Sequence, residues 1–165
     1  MQTEQEPLIL TLRLDAQSQA FFDEQRQIYF PPERNFLKAH LSLFHQLPNT
    51  PNTRQYFQSV KDQKFTMQVT GLFSLGGGVA YRLESPELLH LRKTIANHFA
   101  DVLIPQDRQG FRPHITIQNK VLPQQAKQLL HTLSGTFSPF TVQTTGLDLW
   151  TYLGGPWRHE VFYPF

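Results

Sequence analysis

The stretch that decides the fold spans residues 111–117 and reads FRPHITI. Proline is tolerated only at the start or the edge of a strand, and the two isoleucines that follow it alternate with polar residues, so the pattern predicts a β-strand. Alternation places the isoleucines on one face, toward a core, and Arg112, His114 and Thr116 together on the other face. A cation, an imidazole and a hydroxyl on one face suit an anion. The stretch therefore predicts an anion-binding strand.

The same pattern recurs once, at residues 38–43, which read KAHLSL. Here Lys38, His40 and Ser42 share one face, and three apolar residues share the other. Of the seven histidines, only His40 and His114 begin a tetrad of the form His-x-[Ser/Thr]-apolar. The alternative is that both histidines are polar positions on solvated strands. A functional role is favoured because each histidine comes with a cation and a hydroxyl in phase.

The chain also repeats itself. An offset of 75 residues aligns 65–72 (FTMQVTGL) with 140–147 (FTVQTTGL), which are identical at six of eight positions. The two tetrad histidines lie 74 residues apart, close to the same offset. We therefore expect a single domain over residues 1–165 that arose by internal duplication, with one tetrad in each copy. Two equivalent strands could then present their histidines to one groove between the copies.

The other patterns predict the scaffold, because apolar spacing and capping signals distinguish strands from helices. Strands are expected over residues 8–14, 65–72, 79–84, 140–152 and 157–163, and helices over 15–29, 52–62, 85–103 and 123–134. The first helix is expected to bury a stripe that contains Phe21 and Ile28. Val102 is expected to face inward and Gly135 to cap the last helix, while residues 105–110 form a loop. Together, these elements predict an α+β fold with two pseudo-symmetric lobes, each an antiparallel sheet with helices on its outer face. We expect the active groove between the lobes.

The paired tetrads resemble the signature of the two-histidine (2H) phosphoesterase superfamily, which includes bacterial 2′-5′ RNA ligases and cyclic nucleotide phosphodiesterases. That signature is one His-x-[Thr/Ser]-x tetrad in each of two lobes. Residues 30–35 and 149–157 also look like a bacterial branch of the group, so the resemblance covers nearly the whole chain. The first tetrad has Ser42 where threonine is commoner, a departure that keeps the hydroxyl.

Two histidines that face each other suit phosphodiester chemistry by general acid–base catalysis. One neutral imidazole would take a proton from the attacking water or hydroxyl, and the other, as imidazolium, would protonate the departing oxygen. The sequence leaves open which of His40 and His114 is the acid and which the base. This scheme requires no cofactor and no metal, and the chain contains neither a His-Glu-x-x-His motif nor a Cys/His cluster.

Five further residues are candidates for binding the substrate. Ser42 and Thr116 can donate hydrogen bonds to the non-bridging phosphate oxygens, and Lys38 and Arg112 can supply positive charge to the transition state. Either cation could instead extend into solvent at the strand edge. Arg34 lies in the loop before the first tetrad strand, where it could serve the site or belong to a plain turn.

The resemblance implies hydrolysis of a 2′,3′-cyclic phosphate, at an RNA end or on a nucleotide, to a 2′-phosphate. Reversal of that chemistry would give 2′-5′ ligation. RNA, a small cyclic nucleotide and a cyclic ADP-ribose phosphate all remain possible substrates, and a non-catalytic module that binds RNA ends or nucleotides is the alternative function. Trp150, Tyr152 and Trp157 in the closing hairpin could stack on a base or could pack in the core or at its rim.

Composition excludes several other classes. The 165 residues include no cysteine, which rules out a disulfide framework and thiolate metal sites and suits the cytoplasm. The formal charge of +2 permits an anionic ligand, but no run of Lys and Arg of the kind that coats duplex nucleic acid is present. We expect no secretory signal and no membrane span, since the first residues are polar and no apolar run is long enough. We also expect a monomer.

Overall fold

The computed structural model of the protein describes residues 5–165, which form seven strands and five α-helices. In chain order these are β1 Leu8–Leu14, α1 Ala16–Tyr29, a 3₁₀ turn Pro32–Arg34, β2 Leu41–Leu47, α2 Pro51–Ser59, β3 Thr66–Ser74, β4 Val79–Glu84, α3 Pro86–His98, α4 Pro105–Arg108, β5 His114–Gln118, α5 Pro123–Thr136, β6 Phe140–Tyr152 and β7 Trp157–Pro164. Helices α2 to α5 each begin with proline, whose fixed φ suits the first helical position and whose missing N–H is not needed there. None of the helices in residues 5–165 is both long enough and apolar enough to cross a bilayer.

All strand pairs are antiparallel, and the strand order is β2-β1-β6-β3-β4-β5, with β7 also paired to β6. The long strand β6 divides this array in two. Its residues 140–143 pair with β3, and its residues 144–151 pair with β1. We call the set β2-β1-β6-β7 sheet A and the set β6-β3-β4-β5 sheet B. The tetrad strands β2 and β5 are the edge strands of sheets A and B, and they contact each other.

The two halves of the chain, residues 5–74 and 75–165, each contribute strands to both sheets. Strand β3, from the first half, pairs with β4 of the second half, and β6, from the second half, pairs with β1 of the first. Each sheet therefore contains strands from both halves, with a tetrad strand at one edge. The internal duplication itself stays a prediction.

The helices cover the outer faces of the sheets. On sheet B, Phe22 of α1 is fully buried with its ring 5.4 Å from that of Tyr81 on β4. On sheet A, Phe57 of α2 packs against Phe99 at the end of α3 and against Tyr163 of β7, with ring centroids 5.8 and 5.9 Å apart. Full burial of one such side chain contributes about 2–3 kcal/mol to folding. The predicted α+β fold, with antiparallel sheets and helices on their outer faces, is confirmed.

Several local predictions are wrong. On α1, Phe21 and Ile28 are 37% and 58% exposed, and the buried residue beside Phe22 is Arg26, at 5% exposure. The helix packs on sheet B through these two residues, four positions apart, and the guanidinium of Arg26 finds hydrogen-bond partners there. Val102 is 51% exposed because α3 ends at His98, before it.

Two boundaries near the chain's polar segments also differ. Gly135 lies inside α5, which ends one residue later, so it is not the cap. The expected loop over residues 105–110 contains the short helix α4, whose Asp107 is only 2% exposed. A single turn with one buried carboxylate carries no apolar periodicity, so the sequence alone gives no signal for it.

Candidate active site

Each tetrad histidine is held by the backbone carbonyl two residues before it. Nδ1 of His40 lies 2.8 Å from the Lys38 oxygen, and Nδ1 of His114 lies 2.7 Å from the Arg112 oxygen. A carbonyl can only accept, so each Nδ1 carries a proton and donates it. In the neutral ring Nε2 then has a free lone pair, and in the charged ring it has a proton to give. Both histidines thus present the same nitrogen for proton transfer.

The two tetrad strands begin later than predicted: β2 begins at Leu41, directly after His40, and β5 begins at His114, so Lys38 and Arg112 lie outside them. The strands β2 and β5 contact each other. Burial lowers the pKa of the half-buried His40 to about 4, against the opposing effect of its hydrogen bond to Lys38. The positive charges of Arg26, His114 and His45 contribute to this lowering. At neutral pH, His40 is therefore an uncharged base.

The tetrad hydroxyls lie two residues beyond the histidines. Ser42 on β2 is half-buried and opposite Thr11 of β1, and Thr116 on β5 is half-buried and opposite Ala80 of β4. Alternation along each strand puts Ser42 on the face of His40 and Thr116 on the face of His114. Both tetrads thus point a ring and a hydroxyl the same way.

The structure does not bring the three predicted cations together. Lys38 is exposed and lines a cavity of about 910 Å³ that borders His40. Arg112 is exposed and lines a second cavity, of about 510 Å³, on the side of sheet B. Arg34 is exposed in the 3₁₀ turn and lines neither of these two cavities. The backbone of Lys38 and Arg112 nevertheless has a defined role, because their carbonyls orient the two rings.

Two arginines on the strands beside the tetrads were missed by the sequence reading. Arg82 on β4 is directly opposite His114. Arg13 on β1 follows the residue that pairs with Leu41, which puts it beside His40. The alternation of β1 and β4 already places these arginines on the polar faces of their strands. The pairing with the tetrad strands, however, depends on long-range register that no local pattern reveals.

The two arginines differ in their partners. Arg13 forms a bidentate pair with Asp148, at 2.9 and 2.6 Å, and its guanidinium lies 3.7 Å from the ring centroid of Phe162. Nε2 of His159 is also hydrogen-bonded to Asp148, at 2.7 Å. Arg82 lies over the ring of Phe73 at 5.2 Å and has no carboxylate within 4 Å in residues 5–165. Its charge is therefore available to an anion, whereas that of Arg13 is neutralised.

Aromatic residues of the closing hairpin border the larger cavity. The ring of Trp157 lies 4.6 Å from that of His40, and the rings of Trp150 and Trp157 lie 6.1 Å apart. Nε1 of Trp150 donates to the Thr11 hydroxyl, which fixes its orientation. Tyr152 does not line this cavity. Of the three aromatic candidates, the two tryptophans lie where a base could stack.

Buried arginines of the helices hold the edge strands in place. Arg26 of α1 donates to the Thr116 carbonyl at 3.2 Å and to the Asn35 side chain at 3.1 Å. Arg92 of α3 donates to the Leu43 carbonyl at 2.7 Å. Each tetrad strand is thus tied down by a helix from the other half of the chain. An edge strand leaves unpaired backbone groups that need such partners.

The carboxylate of Asp107 completes this support for β2. It accepts hydrogen bonds from the backbone N–H groups of His45 and Gln46 and lies 2.9 Å from Nδ1 of His45. Burial raises the pKa of Asp107, but these hydrogen bonds outweigh burial and leave its pKa lowered. The ionised form is therefore the one that the fold stabilises. Within residues 5–165, no three His, Cys, Asp or Glu side chains are grouped so as to hold a metal ion.

Comparisons with solved structures show where this fold occurs. TT0787 of Thermus thermophilus has a TM-score of 0.67 at 15% identity, covering 96% of this chain and 97% of that one. Escherichia coli LigT complexed with 3′-AMP has a TM-score of 0.59 at 17% identity, covering 98% and 99%. Kluyveromyces marxianus Usb1 has a TM-score of 0.50 at 16% identity, covering 98% of each chain. At such identities the similarity shows the fold alone.

The sequence itself identifies the family. A search of curated proteins finds no match. A scan against protein-family models matches the 2′-5′ RNA ligase superfamily over residues 14–156, which include both tetrads, all strands of sheet B and β2 of sheet A. The 2H signature of the two tetrads agrees with this match. The chain therefore belongs to the 2′-5′ RNA ligase superfamily of 2H phosphoesterases.

Proposed function

We propose that the protein is a metal-independent phosphoesterase that hydrolyses 2′,3′-cyclic phosphates, on RNA ends or nucleotides, to 2′-phosphates. The observation that carries the proposal is the matched pair of His40 and His114, each with Nδ1 bonded to a carbonyl and Nε2 free, at the N-terminal ends of contacting edge strands. Membership of a superfamily of phosphoesterases and ligases supports it. A fold shared with a LigT structure that holds 3′-AMP is compatible with a nucleotide ligand.

In the proposed mechanism His40 is the base and His114 the acid. His40 takes a proton from the attacking water through Nε2, since its lowered pKa keeps it neutral. As the new P–O bond forms, the bond from phosphorus to the 3′ oxygen breaks, and His114 protonates that oxygen. Ser42 and Thr116 donate hydrogen bonds to the non-bridging oxygens. A 5′-hydroxyl in place of water would give a 2′-5′ phosphodiester by the same route.

The experiment that tests the function is turnover of a panel of cyclic phosphates, with the position of the phosphate in the product determined by NMR. The panel contains 2′,3′-cyclic nucleotides, RNA with a 2′,3′-cyclic phosphate end and a cyclic ADP-ribose phosphate. A 2′-phosphate product supports the proposal. Tight binding of the same compounds without turnover would favour the alternative, a non-catalytic module that binds RNA ends or nucleotides.

The pH dependence of kcat/KM should reflect the lowered pKa of His40. We expect a bell whose acid limb lies near pH 4 to 5, below the ordinary histidine value of about 6.5, because His40 loses its base function only when it is protonated. Arg26→Met removes a charge that lowers this pKa, so the acid limb should move to higher pH. Arg26→Lys, which keeps the charge, is the matched control and should leave the limb in place. An acid limb near pH 6.5 in the native protein would contradict the assignment of His40 as base.

Chelation provides a separate check of the mechanism. Hydrolysis of a 2′,3′-cyclic nucleotide should survive exhaustive dialysis against EDTA, because the acid–base pair needs no Lewis acid. The measurement is kcat/KM before and after dialysis, with metal content determined by mass spectrometry. Loss of activity that is restored by one divalent ion would place the protein in a different mechanistic class.

A further inference from the structure

The second cavity is lined by residues of sheet B and of the start of α3, whereas the tryptophans line the larger cavity on the side of sheet A. It is about 510 Å³ in volume, and its walls include Phe73, Arg82, Leu89, Phe111, Arg112 and Pro113. It shares no lining residue with the larger cavity, which borders His40. A volume of this size is within the range of small-molecule sites.

Three residues that line this cavity, Phe73, Arg82 and Arg112, are neighbours of His114. The ring of Phe73 meets the His114 ring edge-on, with centroids 5.7 Å apart. The Arg112 carbonyl holds Nδ1 of His114, and Arg82 is the cross-strand neighbour of His114. A phosphate bound between the two tetrads would therefore lie between two cavities. The larger cavity, which the tryptophans line, would be next to His40, and the second cavity would be next to His114.

The chemistry of its walls suits a nucleotide. Phe73, Phe111 and the 50% exposed Leu89 provide apolar surface. Neither Arg82 nor Arg112 has a carboxylate within 4 Å in the described part of the chain. Glu84 also lines the cavity, so the two guanidinium groups leave a net positive charge. An apolar surface beside unpaired guanidinium groups matches a base joined to a phosphodiester.

The two sheets differ in whether the arginine beside the tetrad histidine is already paired with a carboxylate. The arginine beside His40, Arg13, is already paired with Asp148, whereas the arginines on the side of His114 have no such partner in residues 5–165. A second phosphate group of a substrate would therefore be attracted to Arg82 and Arg112, on the side of sheet B. A free cyclic mononucleotide has no second phosphate to place there.

We propose that the second cavity binds the nucleotide next to the one that carries the cyclic phosphate, with the connecting phosphodiester at Arg82 and Arg112 and the base against Phe73 and Leu89. This inference rests on the proposed function and narrows its substrate to the end of an RNA chain. The minimal preferred substrate is then a dinucleotide.

The test compares kcat/KM for adenosine 2′,3′-cyclic phosphate with that for the dinucleotide ApA carrying the same cyclic phosphate. One stacked base and one phosphate contact should favour the dinucleotide by about 10- to 100-fold in the native protein. In Arg82→Ala/Arg112→Ala the ratio of the two values should fall to about 3 or less. Leu89→Glu, at an exposed position that does not threaten folding, should also lower it. Lys61→Ala/Lys127→Ala removes two exposed charges elsewhere and should leave the ratio unchanged.

Binding separates this inference from the proposed function. The Kd of ApA 3′-phosphate and of 3′-AMP, measured by calorimetry, should show the same preference and the same loss in the cavity variants, whether or not the protein turns over. Absence of turnover with the binding preference intact would end the hydrolysis proposal and leave the cavity assignment standing. Equal values for mononucleotide and dinucleotide, or a preference that survives in Arg82→Ala/Arg112→Ala, would overturn the assignment.

Discussion

Replacing His40 or His114 by alanine is expected to lower kcat/KM for the best 2′,3′-cyclic phosphate by about 10²–10⁴-fold in each case, the usual range for one positioned acid or base. The double variant should lose much less than the product of the two single losses, because the pair acts as a unit. The measurement is steady-state kinetics on freshly purified variants whose folding has been checked by circular dichroism.

The controls for this prediction come from the same chain. His90→Ala and His131→Ala remove exposed histidines on α3 and α5 and should leave kcat/KM unchanged. Ser42→Ala and Thr116→Ala should reduce the rate, since they remove hydrogen bonds to phosphate, but should keep the bell-shaped pH profile. A double His40→Ala/His114→Ala protein with native turnover would mean that the tetrads are structural and that other residues carry the chemistry.

Asp107→Ala is expected to have the largest effect on stability. The variant removes a buried carboxylate and leaves the N–H groups of His45 and Gln46 without their partner, and it should cost about 2–3 kcal/mol in the free energy of unfolding. Urea denaturation should show a lower midpoint with an unchanged m value. Because the pKa of Asp107 is lowered, its stabilisation is present above the ordinary value of 3.8 and is lost as the pH falls through the lowered one. The difference in the free energy of unfolding between the native protein and the variant should therefore become small at acidic pH.

Asp101→Ala is the matched control, since Asp101 is exposed in the segment just before α4. It should change the free energy of unfolding by about 0.5 kcal/mol or less. If Asp107→Ala were as stable as Asp101→Ala, the carboxylate would not be what holds the outer edge of β2.

The parts of the candidate site that sequence reasoning could predict are those that local alternation determines. His40 with Ser42, and His114 with Thr116, lie two residues apart on extended chain, and such spacing fixes a shared face without any knowledge of the fold. The antiparallel sheets followed from the same alternation in the other strands. The predicted roles of Lys38, Arg34 and Arg112 in binding stay predictions, because position alone does not decide them.

What sequence reasoning missed depends on distant partners. Arg26 is buried because it reaches a carbonyl 90 residues away, and Asp107 because it reaches backbone N–H groups about 60 residues away. A charged residue on a helix is normally assigned to the solvent face, and only a polar partner at the packing surface reverses that assignment. Arg82 is a similar case, since its place beside His114 depends on strand register.

The continuous strand β6 has a consequence for how the enzyme meets its substrate. Its 13 residues run through both sheets, so one unbroken backbone ladder joins the two halves of the groove. Widening the gap between the histidines would require bending that strand and breaking its hydrogen bonds to β1 or β3. We therefore expect His40 and His114 to be held at a fixed separation before any substrate binds, without a hinge closure that brings them together. In such a rigid cleft, discrimination between substrates depends on what fits at either end, and not on a motion that only the correct ligand induces.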